Sequence, residues 1–150
     1  MKKVLLMGAF ILGLLWPVRS WAYQPDNSVI EIEYTDAQWL LKTAQAEAGN
    51  QGMTGQWLVM CVILNRVESE DFPDTVYEVI SQPGQFSTYA SGAIDKAEPT
   101  SDTHEALAYL EMGNKAEKII AFENAKYNSL EKYFWKAFSV KDHIFYTAKQ

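Results

Sequence analysis

The chain has 150 residues, 13 basic and 19 acidic, for a net charge of −6. That sign speaks against nucleic acid as a partner and against adhesion to an anionic surface by bulk charge. A lone cysteine, Cys61, excludes an internal disulfide, so stability must come from packing. In the apolar run Trp57–Leu64, Cys61 reads as a small buried hydrophobe rather than a reactive thiol.

Lys2 and Lys3 precede an uncharged run from Val4 to Trp16, which Pro17 ends. Ser20-Trp21-Ala22 then has the small-x-small pattern of a signal-peptidase site. As a helix the run reaches only about 20 Å, short of a bilayer core of about 30 Å. Residues 1–22 are expected to be a cleaved signal, the alternative being an uncleaved anchor. The expected product is secreted and extracytoplasmic, with no stable membrane insertion after signal removal. Without Lys2, Lys3 and Arg19, 10 basic residues face 19 acidic ones, a balance of −9. The remaining 128 residues suffice for one core, and a monomer is expected. Residues 23–35 read as a tether, and 36–150 as one catalytic domain.

Thr35-x-x-Gln38 has the form of a capping box, and apolar residues from Ala37 to Ala48 recur at helical spacing. Gly49 suits the position just after that helix. Thr54 is placed to cap a second helix, Gly55 to Val67, whose Trp57–Leu64 segment is apolar on every face and therefore belongs at the centre of the domain. Phe72-Pro73-Asp74 breaks the chain before a short helix from Thr75 to Ser81, and Gln82–Ser87 is a loop. Ser101 or Asp102 caps a helix ending at Gly113. Ile119–Phe122, Tyr133–Val140 and His143–Thr147 read as strands of a small antiparallel sheet. Helices first and a short sheet last predict an α+β domain.

Glu47 is the candidate acid. It lies in the last turn of helix one, where the partial negative charge of the helix end disfavours a carboxylate and should raise its pKa. Ala46, Ala48 and Gly49 leave room for a ligand, and the amide-rich loop Gly49-Asn50-Gln51-Gly52 follows. A raised-pKa acid beside an open loop suits protonation of a glycosidic oxygen. Taken alone, the same residue reads better as an ordinary solvated glutamate.

The segments Ala46-Glu47-Ala48-Gly49-Asn50-Gln51, Gly55-Gln56 and Val62-Ile63-Leu64-Asn65-Arg66-Val67 together resemble the cell-wall hydrolase family typified by the spore cortex-lytic enzymes. The likeness continues through Phe72-Pro73, Val79-Ile80 and Gln82-Pro83-Gly84-Gln85-Phe86-Ser87. It resumes more weakly at Asn124, Trp135 and His143-Ile144-Phe145-Tyr146. The resemblance implies a lysozyme-like domain acting on peptidoglycan, with Glu47 at the position of the family's catalytic glutamate. Many members carry a second glutamate where this chain has Gln51, which puts an acidic role there in doubt.

Ordinary glycosidases need two carboxylates, and no second acid is an evident partner for Glu47. Glu68, Glu70 and Asp71 read as a solvated turn; Glu78 and Asp95 have no supporting pattern. A lytic transglycosylase needs only one, since the substrate's own 6-hydroxyl replaces water. The rival reading is an N-acetylmuramoyl-L-alanine amidase; a third is an inactive wall-binding or inhibitor module. A zinc amidase would want at least three protein ligands. Only His104 and His143 are present, neither with a partner at ligand spacing, so no metal and no cofactor are expected. His104 reads as a surface residue and His143 as a hydrogen-bonded structural one. Gln85 and Ser87 are expected to bond sugar hydroxyls, Phe86 to pack beneath them, and Tyr89, Trp135 and Tyr146 to stack on sugar faces. Trp57 and Phe145 read as core, and Asn65-Arg66 as ties for a loop.

Overall fold

The computed structural model describes residues 29–149. The expected signal, residues 1–22, and the first part of the expected tether lie outside them. Helix α1 spans Tyr34–Ala48, a 3-10 turn Gly49–Gln51, and α2 Gly52–Val67. Two short helices follow, α3 (Val76–Ser81) and α4 (Ser87–Ala90), then α5 (Ser101–Glu111). Strands β1 (Ile119–Asn124), β2 (Phe134–Val140) and β3 (His143–Ala148) close the chain, with a 3-10 turn Leu130–Lys132 between β1 and β2. The sheet is antiparallel in the order β1-β3-β2, so the last strand is central. The α+β expectation holds. No helix among the described residues is long and apolar enough to cross a membrane.

Helix α2 is the axis of the molecule, as its unbroken apolar character requires. Leu58, Val59, Met60, Cys61, Val62 and Ile63 are all buried. Leu40, Leu41 and Ala44 of α1, Val79 and Ile80 of α3, Ala106 and Leu110 of α5 and Phe145 of β3 share the same core. Cys61 is a buried free thiol, pushed up to about 12 by its burial. Beneath the sheet's other face, Ala121, Ile144 and Tyr146 form a smaller cluster with Leu130 and Phe134. Asn65 and Arg66 tie the end of α2 to the start of the sheet. The Asn65 amide donates to the carbonyls of Ala116 at 2.8 Å and Ile119 at 2.9 Å, and Arg66 Nε donates to Ile120 at 2.7 Å. The Arg66 guanidinium is sandwiched between Phe72 and Phe86, at 5.0 and 5.3 Å from their ring centres. Burial lowers its pKa to about 10.

Several element ends differ from expectation, each for a local reason. Helix α1 starts at Tyr34 with Glu33 before it and no side-chain cap, so Thr35 lies within the helix and forms no capping box. The segment 29–33 leads in along the body: Ile30 and Ile32 pack on the core, and the Ile30 amide donates to Glu111 at 3.0 Å. Gly49 is not a left-handed stop; it keeps right-handed geometry (φ −56°), and the chain tightens into the 3-10 turn instead. The left-handed residue is Gly52, φ 72°, where α2 begins, three residues before the expected start. Gly55 is required by close approach, because a Cβ there would stand 2.3 Å from Gln51 Cβ. Helix α5 is capped by Thr100, through a box with Thr103, rather than by Ser101 or Asp102.

Candidate active site

Glu47 is half-buried at the end of α1, and its carboxyl faces α4. Thr88 Oγ1 donates to Glu47 Oε1 at 2.5 Å. Burial raises the Glu47 pKa, and the Thr88 hydroxyl and amide pull against that rise without cancelling it. The expected direction therefore holds, with desolvation as its leading cause. Thr88 is fixed in turn by its own carbonyl, which accepts from the amides of Ala93 at 2.8 Å and Ile94 at 3.2 Å; Ile94 is buried. The space beside Gly49 is less open than its small side chains suggest. Gln45 Nε2 lies 2.6 Å from where a Gly49 Cβ would be, and Gln45 accepts from Thr103 Oγ1 at 2.7 Å.

Gln51, in the 3-10 turn after α1, is buried and acts as a clamp. Its Oε1 accepts from the Asp142 amide at 3.1 Å, and its Nε2 donates to Asn50 Oδ1 at 2.7 Å. The turn between β2 and β3 is thereby held against the 3-10 turn that follows Glu47. A neutral amide suits a place facing Asp142 Oδ2 at 3.5 Å, where a carboxylate would meet like charge.

The predicted sugar-contacting residues separate into four groups. Ser87 is exposed at the start of α4 and Tyr89 is half-buried there, both flanking Thr88. Gln85 is exposed and opens onto a cavity of about 480 Å³ shared with Arg66, Phe72, Phe122 and Glu123. Trp135, 58% exposed, lines a separate cavity of about 460 Å³ with Asn65, Glu68, Asp71 and Lys118. Glu47 lines neither. Phe86 and Tyr146 do not fit the roles expected of them. Phe86 is 3% exposed, packed on Arg66 and Phe122, and Tyr146 is fully buried with its hydroxyl donating to Glu123 at 2.7 Å. Neither ring has a face open to a sugar.

Glu123 itself is a structural carboxylate. Burial alone would raise its pKa, but hydrogen bonds from Leu130, Ser129 and Tyr146 outweigh that and hold it below the usual range. Its oxygens organise the loop before the 3-10 turn at Leu130. His104 is exposed. His143 is buried against Phe122, but its Nδ1 has no partner, so the hydrogen-bonded role expected of it does not hold at that atom. Burial lowers its pKa, with Asp142 opposing. Among the described residues no three His, Cys, Asp or Glu side chains gather as a metal site.

Sequence reasoning missed Thr88, which stands one residue beyond the segment it singled out. Also missed were Trp39, two helical turns before Glu47 on α1, and Tyr77 of α3. Their rings meet Tyr89 in one cluster, with centroid separations of 5.1 Å for Trp39–Tyr77, 6.4 Å for Trp39–Tyr89 and 6.3 Å for Tyr77–Tyr89.

A mainly helical domain with a half-buried glutamate at the end of its first helix has the build of a lysozyme-like enzyme. The family model described as Cell Wall Hydrolase matches residues 50–146, and the chain belongs to that family. The matched span begins three residues after Glu47. The chain is 40% identical over 72 residues to the spore cortex-lytic enzyme of Oceanobacillus iheyensis, an alignment covering 48% of this chain and 26% of that protein. It is 41% identical over 59 residues to the spore cortex-lytic enzyme of Bacillus cereus, covering 39% and 23%. The aligned region thus spans about a quarter of these relatives. Among solved structures, the catalytic domain of the germination-specific lytic transglycosylase SleB from Bacillus anthracis superposes with a TM-score of 0.64 at 26% identity, over 77% of this chain and 97% of that one. The Bacillus cereus SleB catalytic domain gives 0.67 at 25% identity, over 83% and 99%. The fold is that of these catalytic domains, lysozyme-like as the resemblance implied.

Proposed function

We propose that the protein is an extracytoplasmic peptidoglycan lytic transglycosylase, exported by residues 1–22, with Glu47 as its single catalytic acid and base. The observation that carries the reading is the Glu47 environment: a desolvated carboxyl with raised pKa, oriented by one hydroxyl, on a fold shared with lytic transglycosylase catalytic domains. In its protonated form Glu47 donates to the glycosidic oxygen between N-acetylmuramic acid and N-acetylglucosamine as the bond to the anomeric carbon breaks. The muramoyl 6-hydroxyl then attacks that carbon and returns its proton to the Glu47 carboxylate. A 1,6-anhydro end forms and no water is consumed, so a second carboxylate to activate water is unnecessary. The only hydrogen-bond partner of the Glu47 carboxyl among the described residues is Thr88, which is consistent with that economy.

Thr88→Val tests the site's acid chemistry. The hydroxyl favours the charged carboxylate, so its loss should raise the Glu47 pKa further. Since the first step needs the protonated acid, the basic limb of the pH–rate profile should move to higher pH. Loss of orientation should lower the maximal rate about tenfold, the usual scale for a hydrogen bond to a charged group. A basic limb that stays put or moves down would remove Thr88 from this role. The amidase reading is tested by wall turbidity with and without a chelator. Lysis should persist after chelation; lysis that is lost and then restored by zinc would favour the amidase, and no lysis under any condition the inactive binding module.

A further inference from the structure

From the cluster beside α4 we infer that Trp39, Tyr77 and Tyr89 form a sugar-binding platform for the glycan strand, one that engages a saccharide beyond those at the cleavage point. The inference rests on the proposed action on glycan strands and adds a place where a distal sugar is held.

Three observations converge. The first is position. Tyr89 follows Thr88, whose hydroxyl holds Glu47, so the cluster continues the wall of the candidate site. Trp39 lies eight residues before Glu47 on α1, about 12 Å along the helix axis, a distance greater than one sugar ring and suited to a strand that runs on past the acid. The second is exposure. Trp39 and Tyr89 are half-buried and packed on the core, while Tyr77 is 45% exposed and rests on Trp39, so each ring is held in place yet keeps a surface to solvent. The Tyr77 and Tyr89 hydroxyls bond each other at 3.0 Å, which fixes the two rings as a unit. The third is the rim. Trp39 opens into a cavity of about 210 Å³ completed by Gln38, Lys42 and Asp95. Gln38 and Lys42 come from the same face of α1, and Asp95 from the loop that Ile94 anchors in the core.

The chemistry of that set matches a pyranose. One face of a sugar ring carries C–H bonds and packs on an aromatic face, while its edge carries hydroxyl and amide groups that need donors and acceptors. Trp39 supplies the flat surface, Asp95 accepts, Lys42 donates, and Gln38 does both. A purely apolar groove for a protein helix would not place a lysine, an aspartate and a glutamine around one indole.

The test uses the full chain carrying Glu47→Gln, so that strands bind without turning over, with peptide-free glycan strands as the probe. Binding should perturb tryptophan fluorescence, and Trp39→Phe in that background should remove most of the perturbation while keeping affinity within a few-fold. Trp39→Ala should weaken binding about tenfold. Asp95→Asn, a change at an exposed residue that leaves the core intact, should weaken it by a smaller factor. In otherwise wild-type protein, Trp39→Ala should raise KM on long strands more than it lowers kcat, with the same product ends. If affinity and fluorescence ignore Trp39 and Asp95 while Glu47 remains essential for cleavage, the platform is wrong and the catalytic reading stands. If Glu47 is dispensable, the catalytic reading fails first.

Discussion

Replacing Glu47 with glutamine is expected to abolish glycan cleavage and leave the protein folded. The amide keeps the shape and can still accept the Thr88 hydrogen bond, but it has no proton to give the leaving oxygen and no base to take one from the 6-hydroxyl. General acid–base terms are typically worth about 10²–10⁴ in rate, and a residue that serves as both acid and base should lie at the upper end or beyond. Stability should move the other way. The folded-state pKa of Glu47 is raised, so folding favours its protonated form. Such a group contributes fully below its unfolded pKa, and that contribution is lost as pH rises through the folded value. At neutral pH the wild-type carboxylate is therefore a burden on the fold that glutamine does not carry. The melting temperature of Glu47→Gln should equal or exceed that of wild type at pH 7, and the difference should shrink on acidification. Residual lysis near the wild-type rate, or a large loss of stability, would contradict this assignment.

The largest stability loss is expected for Phe145→Ala. Phe145 sits on the central strand, fully buried, and joins the sheet to the helical core together with Ile119 of β1. Its ring packs on Phe122 at 5.9 Å and on Phe138 at 5.6 Å. Truncation leaves a cavity where sheet and helices meet, at a cost of about 3–5 kcal/mol. Domains of this size have about 5–15 kcal/mol in total, so the variant should melt lower by about 10 °C or more. Met112→Ala, at a residue 68% exposed, serves as the control and should stay within about 0.5 kcal/mol of wild type. Equal melting temperatures for the two variants would mean that the sheet does not depend on this contact.

The features that could be read from the sequence are those set by local pattern. An all-apolar α2 needs no knowledge of its partners to be placed at the centre, and the three strands declared themselves through β-branched and aromatic runs. Trp57 and Phe145 were correctly assigned to packing: the Trp57 indole donates to Asn114 at 2.6 Å while its ring meets Tyr109 at 5.3 Å. What could not be read depends on contacts between distant residues. Phe86 and Tyr146 look like sugar-stacking aromatics until Arg66 and Glu123 are seen to cover or bond them. The part Gln51 plays is hidden until Asp142, 91 residues later, is seen to donate its amide to it. Gly49 and Gly52 are equally plausible stops by residue type; the close approach of Lys141, whose Nζ would lie 3.2 Å from a Gly52 Cβ, shows where the chain is crowded. Thr88 and Trp39 join the candidate site only when α4 folds back against α1.

The central claim is that one carboxyl breaks the glycan strand without using water. Mass analysis of the muropeptides released from cell walls by the purified protein tests it most directly. The account predicts products ending in 1,6-anhydromuramic acid, each lighter by one water than the matching product of a hydrolytic muramidase, and absent with Glu47→Gln. Products with only reducing ends, or free peptide stems with intact glycan, would contradict it.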